Sequence, residues 1–158
     1  MKKEDKTNVM RVLDGKRIEY KSYSYGDGTA LSGTEVAEIL GKDPASVFKT
    51  LVTIGKRGQH YVFVVPVEKE LDLKLAAQAS GEKNIEMIRS KDLLPLTGYV
   101  HGGCSPIGMK KFFPTFVDES AGKCSTMLFS AGKIGHQVEL SPEALASVIR
   151  ISFAQLCR

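Results

Sequence analysis

Val47-Phe48-Lys49-Thr50-Leu51-Val52-Thr53-Ile54 and Tyr61-Val62-Phe63-Val64-Val65-Pro66 are two runs rich in β-branched and aromatic residues. Between them, 55–59 supplies two glycines and two charges for a turn. The pair reads as a β-hairpin. Both limbs are almost continuously apolar, the pattern of strands covered on two faces. Such a hairpin needs further elements above and below it, and the flanking sequence provides them.

Upstream, 7–14 carries Val9, Met10 and Leu13 at helical spacing, with Gly15 placed to close the helix. The segment 17–25 alternates more like a strand and holds Tyr20, Tyr23 and Tyr25. Ser32-Gly33-Thr34-Glu35 has the form of a capping box. It leads into Val36, Ala37, Ile39 and Leu40, with Gly41 as the stop. Downstream, 72–79 reads as a helix capped by Asp72 and ended by Gly81. A short strand is predicted over 85–88 and a short helix over 90–94, ended by Pro95. Strands are predicted over 112–118, 125–130 and 136–140, with a turn at Gly132-Lys133-Ile134-Gly135. Ser141-Pro142-Glu143 opens a last helix: N-cap serine, proline at the first helical position, glutamate near the positive dipole end. Strands and helices mix without a βαβ rhythm. The expectation is an α+β fold with a mixed, curved sheet and helices packed around it.

The bulk properties agree. A chain of 158 residues suits one domain, here taken as 1–158, with enough length to bury a sizeable core. Apolar residues make up 42% and charged residues 25%, as in ordinary globular proteins. No run of 18 apolar residues is present, so no membrane span is expected. The charged start MKKEDKTNVM has no apolar stretch behind it and does not read as a secretory signal. Cys104, Cys124 and Cys157 lie far apart without a Cys-x-x-Cys pattern. That suits a reducing cytosol and argues against a disulfide framework or a zinc site. The net charge of +4 is compatible with a nucleic acid partner without requiring one.

Three segments carry candidate chemistry. Lys49 shares a strand face with Val47 and Leu51, so its ammonium must desolvate or reach outward. At a pocket mouth it could bind phosphate or an ester oxygen; on an edge strand it would simply reach water. Gly102-Gly103-Cys104-Ser105-Pro106-Ile107-Gly108 packs three glycines and a proline into seven residues. Such a loop lets a ligand approach closely and can offer backbone N–H groups to a developing oxyanion, or it is a structural turn. It is neither a Walker A loop nor a Rossmann fingerprint. Cys104 with His101 or His136 as base would make a nucleophile, but no local feature lowers its pKa. Cys124 and Cys157 read as small core or near-terminal residues. Ser130 and Gln137 flank a tight turn and offer neutral hydrogen-bonding groups for a small polar ligand, although a plain hairpin loop has the same pattern. Lys110, Lys111, Lys133 and Arg57 suit an RNA backbone or a solvated surface equally.

Together, Phe48-Lys49-Thr50-Leu51, the run from Thr97 through Gly102-Gly103-Cys104-Ser105-Pro106 to Gly108, and Ser130-Ala131-Gly132-Lys133-Ile134-Gly135 resemble the YbaK-type Cys-tRNA(Pro) deacylases. These belong to the YbaK/ProX trans-editing group, related to the insertion domain of bacterial prolyl-tRNA synthetase. The resemblance covers nearly the whole chain, and the Gly-Gly-x-Ser-Pro-x-Gly form points to the Cys-editing branch. It implies a barrel-like mixed sheet surrounded by helices. It also implies removal of cysteine from mischarged tRNA(Pro), or also from tRNA(Cys), by attack of the substrate's own thiol on its ester, giving cysteine thiolactone and free tRNA. No cofactor or metal is implied. The partners implied are the 3′ end of an aminoacylated tRNA and prolyl-tRNA synthetase, with no DNA and no membrane, in the cytoplasm. Residue by residue, Lys49 matches the essential lysine and Gly102 the glycine lying against the reacting ester. Thr50, Gly103 and Ser130 match pocket positions. Tyr23 best matches a pocket tyrosine, with Tyr20 and Tyr25 as neighbours that could fill the same place. At Gln137 some relatives carry aspartate, and a neutral amide holds an α-amino group less strongly. Two other readings share the scaffold: a deacylase of Ala- or another aminoacyl-tRNA, and a non-catalytic tRNA- or synthetase-binding module.

Overall fold

A computed structural model describes residues 6–26, 29 and 31–158. Its helices are α1 (Asn8–Gly15), α2 (Gly33–Leu40), α3 (Leu73–Ser80), α4 (Ser90–Thr97) and α5 (Pro142–Val148). Its strands are β1 (Lys21–Ser24), β2 (Phe48–Gly55), β3 (His60–Pro66), β4 (Ile85–Met87), β5 (Thr115–Asp118), β6 (Met127–Ser130), β7 (His136–Leu140) and β8 (Ile151–Ala154).

Side-chain caps set most helix starts. Ser32 and Glu35 form the reciprocal capping box of α2, Asp72 accepts from Lys74 and Leu75 N–H at the start of α3, and Ser141 accepts from Ala144 N–H before α5. Gly41 and Gly81 end α2 and α3 in the left-handed conformation, as the sequence led one to expect. Two predicted stops fall elsewhere. Gly15 remains inside α1, and Arg17 (φ 58°) makes the left-handed turn instead. Ile18 N–H bonds to Leu13 O at 2.9 Å and Arg17 N–H to Asp14 O at 3.0 Å, the paired bonds of a Schellman closure. Pro95 does not end α4, which runs on to Thr97. Gly98 N–H bonds to Leu94 O at 2.8 Å and Thr97 Oγ1 to Leu93 O at 2.7 Å, so the last turn closes despite the missing proline N–H.

The hairpin forms as read: β2 and β3 pair antiparallel from Phe48↔Pro66 to Ile54↔His60. They lie within a five-stranded sheet of order β4-β2-β3-β5-β8, in which β3/β5 and β5/β8 are parallel. A second, antiparallel sheet has the order β1-β7-β6. One parallel bridge, Val47↔Leu128, joins the two sheets, so the assembly is barrel-like and not closed. β3 is covered on both faces. Val62 and Val64 turn into a core with Phe129, Val138 and Leu140, sealed by Val9 and Leu13 of α1 and Leu145 of α5. Tyr61, Phe63 and Val65 turn the other way, onto Ala76 and Ala77 of α3. Each such fully buried Val, Leu or Phe contributes about 1.5–3 kcal/mol.

Candidate functional site

On its second side β2 pairs with β4 over Thr53–Gly55, and Ile88 N–H adds a bond to Val52 O at 3.3 Å. Apart from the Val47↔Leu128 bridge, its first half is therefore an uncovered edge. A cavity of about 210 Å³ opens there, between this edge, α2, the loop after α4 and the end of the small sheet. The open edge is why five consecutive residues, Val47 just before the strand and then Phe48, Lys49, Thr50 and Leu51, all line it, where strand alternation alone would offer every second one. From the other elements come Gly33 and Val36 of α2, His101, Gly102 and Cys104 of the loop, Ser130 and Gln137 from the facing strand ends, and Tyr25 just past β1. Larger depressions exist, such as a charged surface trough along 68–72, which holds none of the candidate residues that line this cavity.

Polar atoms at the cavity are selectively unpaired. Among the described residues, three buried side-chain oxygens have no hydrogen-bond partner: Thr50 Oγ1, Gln137 Oε1 and Ser120 Oγ. The first two belong to cavity-lining residues. Leaving a buried oxygen unpaired costs roughly 1–3 kcal/mol, so such atoms commonly await a ligand or water. Gln137 Nε2 donates to Tyr25 Oη at 3.5 Å, on the opposite end of the same amide. Burial, more than its hydrogen bonds from Gln137 and Gly135, governs the Tyr25 phenol and holds its pKa above the ordinary value. Ser130 Oγ accepts from Gly132 N–H at 3.0 Å, which leaves its own hydroxyl proton to donate. The Lys49 side chain is 29% exposed, and its one ion pair among the described residues is to the Glu70 carboxylate, at 3.7 Å.

Cys104 lines the cavity, and burial pushes its thiol up to about 12, which disfavours the thiolate that a nucleophile needs. Among the described residues no group of His, Cys, Asp and Glu is arranged to hold a metal ion.

Residues 29–148 match the aminoacyl-tRNA editing domain family. The chain belongs to that family. It is 47% identical over 156 residues, 98% of this chain and 95% of the relative, to EbsC of Enterococcus faecalis, named there as a candidate Cys-tRNA(Pro)/Cys-tRNA(Cys) deacylase. Its fold is that of a solved candidate trans-editing enzyme for prolyl-tRNA synthetase (TM-score 0.83, 22% identity, 98% of this chain and 99% of that one). A solved hypothetical protein has the same fold (TM-score 0.87, 21% identity, 95% and 99%).

In this editing domain the structure brings together Lys49, Thr50, Gly102, Ser130 and Gln137 around one cavity. Gly103 and Tyr23 stand outside its lining. A β-carbon on Gly103 would lie 3.1 Å from Ile134 N, so the missing side chain serves packing against the 132–135 turn. Gly103 N–H is already bonded to Val100 O at 3.0 Å. Tyr23 donates to Glu139, and Lys42 sits 5.4 Å over its ring. The tyrosine at the cavity is Tyr25. Sequence reading gave no binding role to Ser32, Gly33 and Val36, because a capping box signals a helix start and nothing more. A second omission is Tyr99, whose hydroxyl donates to Ile107 O and whose ring lies 3.0 Å from a β-carbon placed on Gly132. It pins the glycine loop and the Ser130 turn to each other.

Proposed function

We propose that this editing domain clears cysteine from mischarged tRNA(Pro), and from tRNA(Cys) as well, acting in trans. The observation that carries the reading is the pair of orphan oxygens, Thr50 Oγ1 and Gln137 Oε1, on a cavity with Lys49 on its lining. At about 210 Å³ the cavity is smaller than the roughly 300–1,000 Å³ of drug-sized sites. It suits an aminoacyl group, with the nucleotide left outside.

In this reading Gln137 Oε1 accepts from the α-ammonium, and Thr50 and Ser130 hold the ester by their hydroxyls. Val36, Phe48 and Leu93 enclose the side chain. Lys49 holds the phosphate of the tRNA 3′ end, and the backbone at Gly102 faces the carbonyl oxygen as it gains charge. The protein's own thiol at the site is inert, and the substrate's thiol takes the role. Its sulfur, as thiolate, bonds to the ester carbonyl carbon and the bond to the ribose oxygen breaks. The ribose hydroxyl recovers the proton, and cysteine thiolactone and tRNA leave. The synthetase's difficulty in separating amino acids of similar volume supplies the need for such an activity. Prolyl-tRNA synthetase is the partner that brings tRNA identity, the compartment is the cytoplasm, and 1–158 acts as one domain.

The test compares deacylation of Cys-, Ala- and Pro-tRNA(Pro), with and without the synthetase. Selective loss of cysteine is expected. Preferred release of alanine would move the chain to another editing specificity, and tRNA binding with no ester cleavage would make it a binding module.

A further inference from the structure

The loop over 67–72 borders the cavity beside Lys49. Its main chain is pinned: Val67 N–H bonds to Val47 O at 2.8 Å, Lys69 N–H to Pro66 O at 3.0 Å and Asp72 N–H to Leu156 O at 2.8 Å. Arg158 pairs with Asp72 at the far end. Val67 packs so closely on α2 that a β-carbon on Gly33 would lie 2.3 Å from Val67 Cγ1. Leu71 packs against the cluster formed by β3 and α3. This fixed backbone presents Glu70, whose side chain is 95% exposed and whose carboxylate lies 3.7 Å from Lys49 Nζ. No other ion pair to Lys49 occurs among the described residues.

A long pair with so exposed a carboxylate does little for the fold. Its effect falls on the ligand. An RNA phosphate approaching Lys49 must displace the carboxylate or bear its repulsion. We propose that Glu70 is a built-in competitor for RNA phosphate at Lys49, one that weakens the hold on any tRNA end. The inference rests on the reading of Lys49 given above, and it extends that reading to a residue outside the cavity lining.

The test measures the Kd for deacylated tRNA(Pro) and the KM for Cys-tRNA(Pro) on the full chain. Glu70→Gln is expected to lower both by about two- to fivefold, the range of an exposed pair. Glu68→Gln makes the same charge change on the same loop without a bond to Lys49, and it should move Kd less than half as far. In a Lys49→Ala background, Glu70→Gln should leave Kd unaltered. Equal effects from Glu68 and Glu70 would overturn the proposal in favour of diffuse charge. A weaker Kd in Glu70→Gln would also overturn it, because Glu70 would then position Lys49. Failure of the deacylase reading looks different: the wild-type chain binds tRNA but cleaves no ester, while the Kd series still reports on Glu70.

Discussion

Lys49 occupies the open edge of a strand, reaches a cavity mouth and meets one exposed carboxylate. Such a lysine contributes little to stability and much to binding an anion. Lys49→Ala should therefore lower kcat/KM for Cys-tRNA(Pro) on the order of 10²-fold or more, with an unchanged thermal midpoint, checked by deacylation kinetics and calorimetry. Thr50 offers the converse. Its Oγ1 is buried and unpaired, so Thr50→Val should raise stability by about 1 kcal/mol, or roughly 2–4 °C in Tm, while raising KM. Some of this was legible beforehand and some was not. The sequence pattern pointed to Lys49, Thr50, Ser130 and Gln137. It could not separate Tyr23 from Tyr25, because residues two apart on a strand share a face. In the register Tyr23 lies opposite Gln137, yet its hydroxyl reaches diagonally to Glu139, while Tyr25, just past β1, meets the Gln137 amide at the cavity. The orphan oxygens were invisible for a similar reason: an unpaired atom is a property of assembled neighbours.

At the scale of elements, α2 does two jobs. Its capping box fixes where the helix begins, and the same first turn supplies Ser32, Gly33 and Val36 to the cavity. Gly33 is there because Val67 leaves no room for a β-carbon. Gly33→Ala should push α2 away from the 67–72 loop and cost about 1–3 kcal/mol, seen as a lower urea midpoint, together with a raised KM. Capping signals are local and were therefore readable in the sequence, as were the hairpin limbs. The last strand was not. Ile151-Ser152-Phe153-Ala154 has no strong pattern, Phe153 is exposed, and the strand is fixed by parallel pairing to β5, more than thirty residues away. Pro95 misled for the opposite reason: a strong local stop was overridden by hydrogen bonds at Thr97 and Gly98.

At the scale of the molecule, Glu139 ties separate parts together. It accepts from Tyr23 on β1 and Thr126 before β6, and it pairs with Lys42 beyond α2 at 3.4 Å. Burial raises its pKa, but the bonds from Thr126, Tyr23 and Lys42 outweigh burial, and the net value lies below the ordinary 4.5. Its stabilising contribution is therefore full above about pH 4.5 and is lost as pH falls through the lower folded-state value. Urea midpoints of wild type and Glu139→Gln should differ at neutral pH and converge in acid. Burial pushes the cavity's own thiol up to about 12, which leaves the substrate's thiol or a water as the attacking group, and the proposed mechanism assigns the role to the substrate's thiol. The most direct measurement compares turnover of Cys-tRNA(Pro) with that of Ser-tRNA(Pro), nearly equal in size but with a far poorer nucleophile. The account predicts rapid loss of cysteine as the thiolactone and no turnover of the seryl ester. Comparable hydrolysis of Ser-tRNA(Pro), which requires an activated water, would contradict it.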